Sequence, residues 1–152
     1  MRVLVLGCGQ MGSGIAQVCA AAGHSVLVSD VDQQTIDRGR ETIHRNLMRT
    51  VEKGRLTTAV ASEIEARVQM RLAPITELDV DLAIEAVAED AALKRRLFSE
   101  LDAALPPAAI LASNTSSISI TVLGAATERP ANVIGMHFMN PCLLYTSDAA
   151  DE

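Results

Sequence analysis

The chain has 152 residues, of which 49% are hydrophobic and 21% charged, a composition typical of one globular domain. Aromatic residues make up only 2% and the net charge is −6, which argues against a nucleic-acid-binding protein. Three cysteines without metal-ligand or disulfide spacing favour a reducing compartment, so we expect a cytoplasmic protein without a metal site. Because no apolar run is long enough, we expect neither a signal peptide nor a membrane-spanning helix.

Short apolar runs alternate with segments of helical periodicity along the chain. In chain order, the predicted strands are 3–6, 25–29, 68–72, 82–87, 109–112 and 133–137. The predicted helices between them are 12–22, 33–53, 57–67 and 91–105, and a polar loop covers 113–117. Strands that alternate with helices predict an α/β fold with a doubly wound, mostly parallel sheet covered on both faces.

Residues 7–12, Gly-Cys-Gly-Gln-Met-Gly, match G-x-G-x-x-G between a predicted strand and a predicted helix. Gly7 permits the tight turn, Gly9 lets the backbone approach a pyrophosphate, and Gly12 lets the helix pack closely on the strand. Asp30 ends the second predicted strand, where a carboxylate accepts hydrogen bonds from a ribose 2′-hydroxyl and repels a 2′-phosphate. The sequence therefore predicts a site for NAD rather than NADP; a glycine-rich turn without a ligand is the alternative.

Five groups of residues resemble the 3-hydroxyacyl-CoA dehydrogenases, especially the bacterial 3-hydroxybutyryl-CoA type. They are the glycine-rich stretch 7–16, the pair 45–47 and 52–54, the Ile-Glu-Ala-Val-Ala-Glu run 84–89, the Ser-Asn-Thr-Ser-Ser loop within 112–118, and the pair 129–130 and 135–141. The loop in 112–118 and the Met-His-Phe-x-Asn-Pro segment in 135–141 distinguish this family from other Rossmann dehydrogenases. The resemblance implies a Rossmann domain over residues 1–141.

The resemblance implies oxidation of the 3-hydroxyl of an L-3-hydroxyacyl-CoA, with hydride transfer to NAD, in β-oxidation or butanoyl-CoA metabolism. His137 matches the family's general base, a role that suits imidazole because it exchanges protons near neutral pH. Ser116 matches the serine that hydrogen-bonds the reacting oxygen, between substrate and cofactor. Asn140 matches a contact to the nicotinamide end, and Glu89 and Lys94 match further cofactor contacts.

Two further positions, Lys53 and Asn46, match residues with which the family contacts the CoA part of its substrate. Three of the assignments, those of Lys53, Ser116 and His137, have a structural alternative. Lys53 is also favoured by the dipole at a helix C-terminus. Ser116 could cap a helix that begins near Ile118, and His137 could hydrogen-bond the backbone after a buried strand.

The resemblance ends after residue 141. Ala149 stands where the family has the glutamate that pairs with the base His137. Residues 142–152 back-translate without a gap into a transposon-end sequencing adaptor, and we interpret them as a non-native tail. We expect the family's helical C-terminal domain to be missing, together with most of the dimer contact of a homodimeric parent enzyme. This 152-residue fragment is therefore expected to be inactive.

Two other functions remain open at the level of the sequence. One is a related Rossmann dehydrogenase such as an L-gulonate 3-dehydrogenase, which shares many of these motifs. The other is a non-enzymatic relative, either a crystallin-like protein or a bare dinucleotide-binding module. Turnover of acetoacetyl-CoA with NADH would distinguish a 3-hydroxyacyl-CoA dehydrogenase from both alternatives.

Overall fold

The computed structural model describes residues 1–74 and 79–139 of the chain. The strands within them are β1 Arg2–Leu6, β2 Ser25–Asp30, β3 Val68–Leu72, β4 Leu82–Glu85, β5 Ile110–Ser113 and β6 Val133–Gly135. The helices are α1 Gln10–Ala21, α2 Gln33–Glu52, α3 Thr58–Ala66, α4 Ala91–Ala104 and α5 Ile120–Gly124, with a 3₁₀ turn at Pro130–Asn132. None of these helices combines the length and apolarity needed to cross a bilayer.

The described strands form one parallel sheet in the order β3-β2-β1-β4-β5-β6. This arrangement confirms the predicted doubly wound α/β fold. The chain order reverses between β1 and β4, so the loops after these two strands leave in opposite directions and open a crevice at the carboxyl edge of the sheet. In open α/β sheets, ligands bind at such a point.

Both faces of the sheet are buried, because side chains alternate along each strand. Val3 and Val5 pack on one face, in a cluster with residues of α1, α2 and α3. Leu4 points to the other face, where it clusters with Phe98 of α4 and Leu123 of α5. The continuous apolar runs of the sequence thus reflect strands covered on both sides.

Several element boundaries differ from those predicted. The strand predicted at 82–87 ends at Glu85, because the Glu85 carboxylate accepts the Val87 N–H at 2.7 Å and turns the chain. The strand predicted at 133–137 ends at Gly135, which leaves His137 beyond the sheet. The first helix begins at Gln10, two residues before the predicted start.

One arginine closes the C-terminal end of α4. The Arg129 guanidinium donates to the carboxylate and main-chain oxygen of Asp102 and to the carbonyls of Pro106 and Leu105, the last at 3.2 Å. The Arg129 side chain is 18% exposed and that of Asp102 is 9% exposed. Carbonyls at a helix end have no partners within the helix, so Arg129 supplies donors to oxygens at the end of α4 and just beyond it.

We expect the substitution Arg129→Met to lower the free energy of unfolding by about 3 kcal/mol, because it leaves the Asp102 carboxylate without its cation and removes donors from the main-chain oxygens of Asp102 and Leu105. Urea denaturation measures the change. Arg96→Met is the matched control: Arg96 forms an exposed ion pair with Glu100 and its loss should cost less than about 0.5 kcal/mol. Equal losses in the two variants would contradict the role of Arg129.

Candidate functional site

The first position of the glycine loop accepts only glycine. Gly7 has a φ of +94°, and a Cβ placed there would lie 2.6 Å from the carbonyl oxygen of Ala86. Its N–H donates to the carbonyl of Ser29 at 2.8 Å. The turn after β1 is therefore held between β2 and the loop that follows β4.

The other two glycines of the motif have different surroundings. A Cβ on Gly12 would lie 1.8 Å from the carbonyl oxygen of Gly7, so α1 packs directly on the loop. A Cβ on Gly9 would meet nothing within 4 Å and would enter open space. Gly9 is also the N-cap residue of α1, and it has no side chain with which to cap the helix. The first N–H groups of α1 therefore remain available to a phosphate in front of Gly9.

Asp30 lies at the end of β2 and is fixed to the glycine loop. Its carboxylate accepts the Cys8 N–H at 2.8 Å and the Asp32 N–H at 3.1 Å. Burial, aided by the nearby Asp30 charge, raises the pKa of the Cys8 thiol to about 11, so Cys8 packs under the loop as a neutral group. A Cβ on Gly39 of α2 would lie 2.3 Å from the Cys8 sulfur. No sequence motif marks Gly39, so this contact could not be predicted from the sequence.

A cleft of about 700 Å³ opens between the glycine loop, the end of β2 and α4. Its lining includes Gly9, Asp30, Val31, Val87, Leu93 and Leu97. This volume lies in the range of small-molecule and cofactor sites. The cleft combines apolar side chains with the N-cap residue Gly9 of α1 and the carboxylate of Asp30. These residues fit a dinucleotide such as NAD.

A buried ion pair lies beside this cleft. The Lys94 side chain is 1% exposed, and its ammonium lies 3.0 Å from a carboxylate oxygen of Glu85, whose side chain is 0% exposed. The other Glu85 oxygen accepts the Ser113 hydroxyl at 2.6 Å. Glu85 is not among the predicted site residues, although it is the one charged residue in an otherwise apolar strand.

Glu89 extends this network to the loop after β5. One Glu89 oxygen lies 2.7 Å from the Lys94 ammonium, and the other accepts the hydroxyls of Thr115 and, at 2.8 Å, Ser117. These contacts, with that to Lys94 the largest, lower the pKa of Glu89 from 4.5 to about 2. Glu89 and Lys94 thus connect the end of β4 and the start of α4 to the loop after β5. The expectation that they contact a cofactor stays a prediction.

Ser116 stands at the tip of a turn that this network fixes. The Thr115 hydroxyl oxygen accepts the N–H groups of Ser117 at 3.3 Å and Ile118 at 3.0 Å. Ser116, between Thr115 and Ser117, is exposed. The alternative reading of Ser116 as a helix cap is wrong, because the helix that follows has Ser119 as its N-cap residue. The Ser116 hydroxyl is therefore presented outward at the carboxyl edge of the sheet.

His137 is exposed and lies two residues beyond the end of β6. The residues on each side of it are hydrogen-bonded to β5 and its loop. Met136 donates its N–H to the Ser113 carbonyl at 2.9 Å, and Phe138 donates its N–H to the side-chain oxygen of Asn114 at 2.7 Å. The structure thus brings the segments that carry Ser116 and His137 to the ends of neighbouring strands.

The two residues predicted to contact CoA lie on α2 and at its end. The Asn46 amide nitrogen is 3.5 Å from the side-chain oxygen of Gln17 in α1. Lys53 is the exposed C-cap residue of α2. Seven residues correspond to almost two helical turns, so Lys53 follows Asn46 on the same side of the helix. This placement agrees with both interpretations of Lys53, as a CoA contact and as a residue favoured by the helix dipole.

Some predicted features lie outside the described residues. These are the cofactor contact Asn140, the tail 142–152 and, within it, Ala149. Within residues 1–74 and 79–139, no three histidine, cysteine, aspartate or glutamate side chains come together as a candidate metal site.

The lowered pKa of Glu89 predicts an acid-sensitive contribution to stability. A carboxylate whose pKa is lowered on folding stabilises the protein above its ordinary pKa of 4.5, and this contribution is lost as the pH falls towards 2. We expect the difference in unfolding free energy between the unchanged chain and Glu89→Gln to be constant above about pH 5.5 and to shrink between pH 4.5 and pH 3. Glu41→Gln, on the exposed side of α2, is the control. A difference that does not change with pH would contradict the prediction.

Comparison with known proteins extends over nearly the whole chain. Residues 2–146 match the family described as 3-hydroxyacyl-CoA dehydrogenase, NAD binding domain. The probable 3-hydroxybutyryl-CoA dehydrogenase of Deinococcus radiodurans is 46% identical over 141 residues, which are 93% of this chain and 50% of that protein.

Solved structures give the same result. The (S)-3-hydroxybutyryl-CoA dehydrogenase PaaH1 from Ralstonia eutropha has a TM-score of 0.88 at 39% identity, and M. tuberculosis FadB2 has 0.85 at 44%. Each comparison covers 93% of this chain and 50% of the other, so the chain spans about half the length of these relatives. With the family match over 2–146, this similarity shows that the chain belongs to the 3-hydroxyacyl-CoA dehydrogenase family and contains its NAD-binding domain.

Proposed function

We propose that this chain supplies the cofactor-binding and catalytic part of an NAD-dependent dehydrogenase that oxidises the 3-hydroxyl of an L-3-hydroxyacyl-CoA to the 3-oxo compound. The observation that carries the proposal is the placement of Ser116 and His137. Both follow neighbouring strands at the carboxyl edge of the sheet, the edge on which Gly9 and Asp30 line the cofactor cleft. The names of the relatives support this substrate class.

His137 is the general base of the proposed reaction. Its imidazole accepts the proton of the 3-hydroxyl, and the Ser116 hydroxyl donates a hydrogen bond to the same oxygen as the carbon–oxygen double bond forms. Because the segment around His137 is hydrogen-bonded on both sides, the imidazole needs little reorganisation to reach the substrate.

The chain holds the cofactor through the first half of the sheet. The N–H groups at the start of α1 bind the pyrophosphate, and the Asp30 carboxylate accepts hydrogen bonds from the adenosine ribose. NAD, when bound, supplies the acceptor for the hydride that leaves the substrate carbon. Glu89, Lys94 and Asn140 complete the cofactor contacts in this proposal.

The proposal includes three properties of the complete protein. Asn46 and Lys53 on the α2 side bind the CoA part, for which the ammonium of Lys53 offers an exposed positive charge. The complete enzyme is a homodimer and acts in the cytoplasm, where the free thiols of Cys8 and Cys19 remain reduced. For this chain, we further propose that the Rossmann domain ends at residue 141 and that residues 142–152 are a non-native tail.

The decisive experiment compares the chain alone with a fusion of residues 1–141 to the C-terminal half of the Deinococcus radiodurans relative. We expect the 152-residue chain to bind NADH without oxidising it in the presence of acetoacetyl-CoA, and the fusion to oxidise it. His137→Gln should abolish turnover in the fusion while leaving NADH binding intact. Turnover with dehydrogulonate instead would favour an L-gulonate 3-dehydrogenase. NADH binding without turnover of either substrate would favour a non-enzymatic relative.

Replacement of Asp30 tests the cofactor preference. In Asp30→Asn, one side-chain oxygen still accepts the Cys8 N–H, but the charge that repels a 2′-phosphate is gone. We expect NADH affinity to fall about tenfold and the gap between NADH and NADPH to narrow, as measured by fluorescence titration. Asp37→Asn, exposed on α2, is the control and should change neither affinity. Equal affinity of the unchanged chain for both cofactors would contradict the assignment.

Replacement of Gly9 separates binding from folding. The Cβ of Gly9→Ala enters only the open space in which the pyrophosphate is proposed to lie, and the φ of −67° suits alanine. We expect a stability change within about 1 kcal/mol but a loss of at least about tenfold in NADH affinity. Gly124→Ala, whose Cβ would make ordinary contacts at 3.5 Å far from the cleft, should change neither quantity much. Unchanged NADH binding in Gly9→Ala would exclude the pyrophosphate from this loop.

A further inference from the structure

Asn114 joins the two segments that carry Ser116 and His137. Its main-chain N–H donates to the carbonyl of Glu85 at 2.9 Å, which fixes the start of the loop after β5 to the end of β4. Its side-chain oxygen accepts the N–H of Phe138 at 2.7 Å. Asn114 is half-buried, two residues before Ser116 in sequence.

The Asn114 side chain provides a hydrogen bond beyond the point at which the sheet ends. The last strand ends at Gly135, and the hydrogen bond from Met136 to Ser113 continues the ladder by one residue. Beyond that point, the Phe138 N–H is held by the Asn114 side chain instead of by a neighbouring strand. His137 therefore lies between one main-chain anchor and one side-chain anchor, both supplied by β5 and its loop.

The chemistry of the contact suits a carboxamide. The Phe138 N–H is a donor, so the atom of Asn114 that faces it must be the oxygen. A carboxamide accepts this hydrogen bond without placing a negative charge one residue from His137. An aspartate would keep the acceptor and add the charge, while an alanine would remove the anchor.

We propose that Asn114 is a positioning residue: it fixes the segment of His137 to the loop of Ser116 and so sets the distance between the general base and the serine. The proposal rests on the proposed function in its catalytic part. Asn114 does not touch the reacting atoms. It acts through the main chain of Phe138, and a displacement of about 1 Å in such a site can lower a rate about a hundredfold.

The first test measures the anchor in the 152-residue chain itself. We expect the Phe138 amide to exchange with solvent at least about tenfold faster in Asn114→Ala, with Met136 affected less and NADH affinity unchanged within about twofold. Asn114→Asp should restore the protection of Phe138, because it keeps the acceptor oxygen. Asn132→Ala removes an asparagine that donates to the carbonyls of Pro107 and Ala109, and it should leave Phe138 protected. Unchanged exchange of Phe138 in Asn114→Ala overturns the proposal.

The second test measures turnover in the fusion with the relative's C-terminal half. We expect Asn114→Ala to lower kcat between about tenfold and a hundredfold while the KM for NADH changes little. Asn114→Asp should recover part of kcat, and Asn132→Ala should stay within about twofold of the unchanged fusion. A kcat in Asn114→Ala equal to that of Asn132→Ala overturns the positioning role. An unchanged fusion without turnover instead overturns the proposed function, and the anchor is then judged by the exchange of Phe138.

Discussion

The buried pair of Glu85 and Lys94 is the interaction on which the arrangement of the site depends. Removing two charges from water is costly, and the cost is offset only when further hydrogen bonds satisfy both groups. Glu85 meets this condition with the Val87 N–H, the Ser113 hydroxyl and the Lys94 ammonium. The pair therefore requires β4 to end where it does and requires β5 to present Ser113 beside it.

The consequences of this pair extend from the interior to the surface. The Lys94 ammonium also contacts the carboxylate of Glu89, whose side chain is 43% exposed. Glu89 in turn holds the hydroxyls of Thr115 and Ser117, the residues on either side of Ser116. The position of a serine in a solvent-exposed turn thus depends on a lysine whose side chain is only 1% exposed. Loops are ordinarily mobile, and this one is fixed by charge-assisted hydrogen bonds rather than by apolar packing.

Much of the fold could be predicted from the sequence because the signals are local. Apolar runs, helical periodicity and the glycine motif each involve neighbouring residues, and the parallel sheet follows from their alternation. The ends of β4 and β6 could not be predicted, because each depends on one side chain. The Glu85 carboxylate turns the chain at the end of β4, and the Asn114 side chain takes the place of a strand partner for Phe138 after β6. The contacts of Asn114, Gly39 and Glu85 join residues far apart in sequence. Periodicity carries no information about such contacts, although a single carboxylate in an apolar strand is a signal for a buried partner.

The carboxyl edge of the sheet explains why the glycine loop and the segments of Ser116 and His137 hold fixed relative positions. At each of the five junctions, the residue after one strand donates its N–H to a carbonyl at the end of the neighbouring strand: Ala73 to Asp30, Gly7 to Ser29, Ala86 to Leu6, Asn114 to Glu85, and Met136 to Ser113. Each functional loop thus leaves the sheet only after one further hydrogen bond to its neighbour. The glycine loop and the segment of His137 lie three strands apart, yet every link between them is a main-chain contact of the same kind. A displacement at one end must therefore break the next link or carry it along, so the sheet edge fixes the position of the glycine loop relative to the segment of His137.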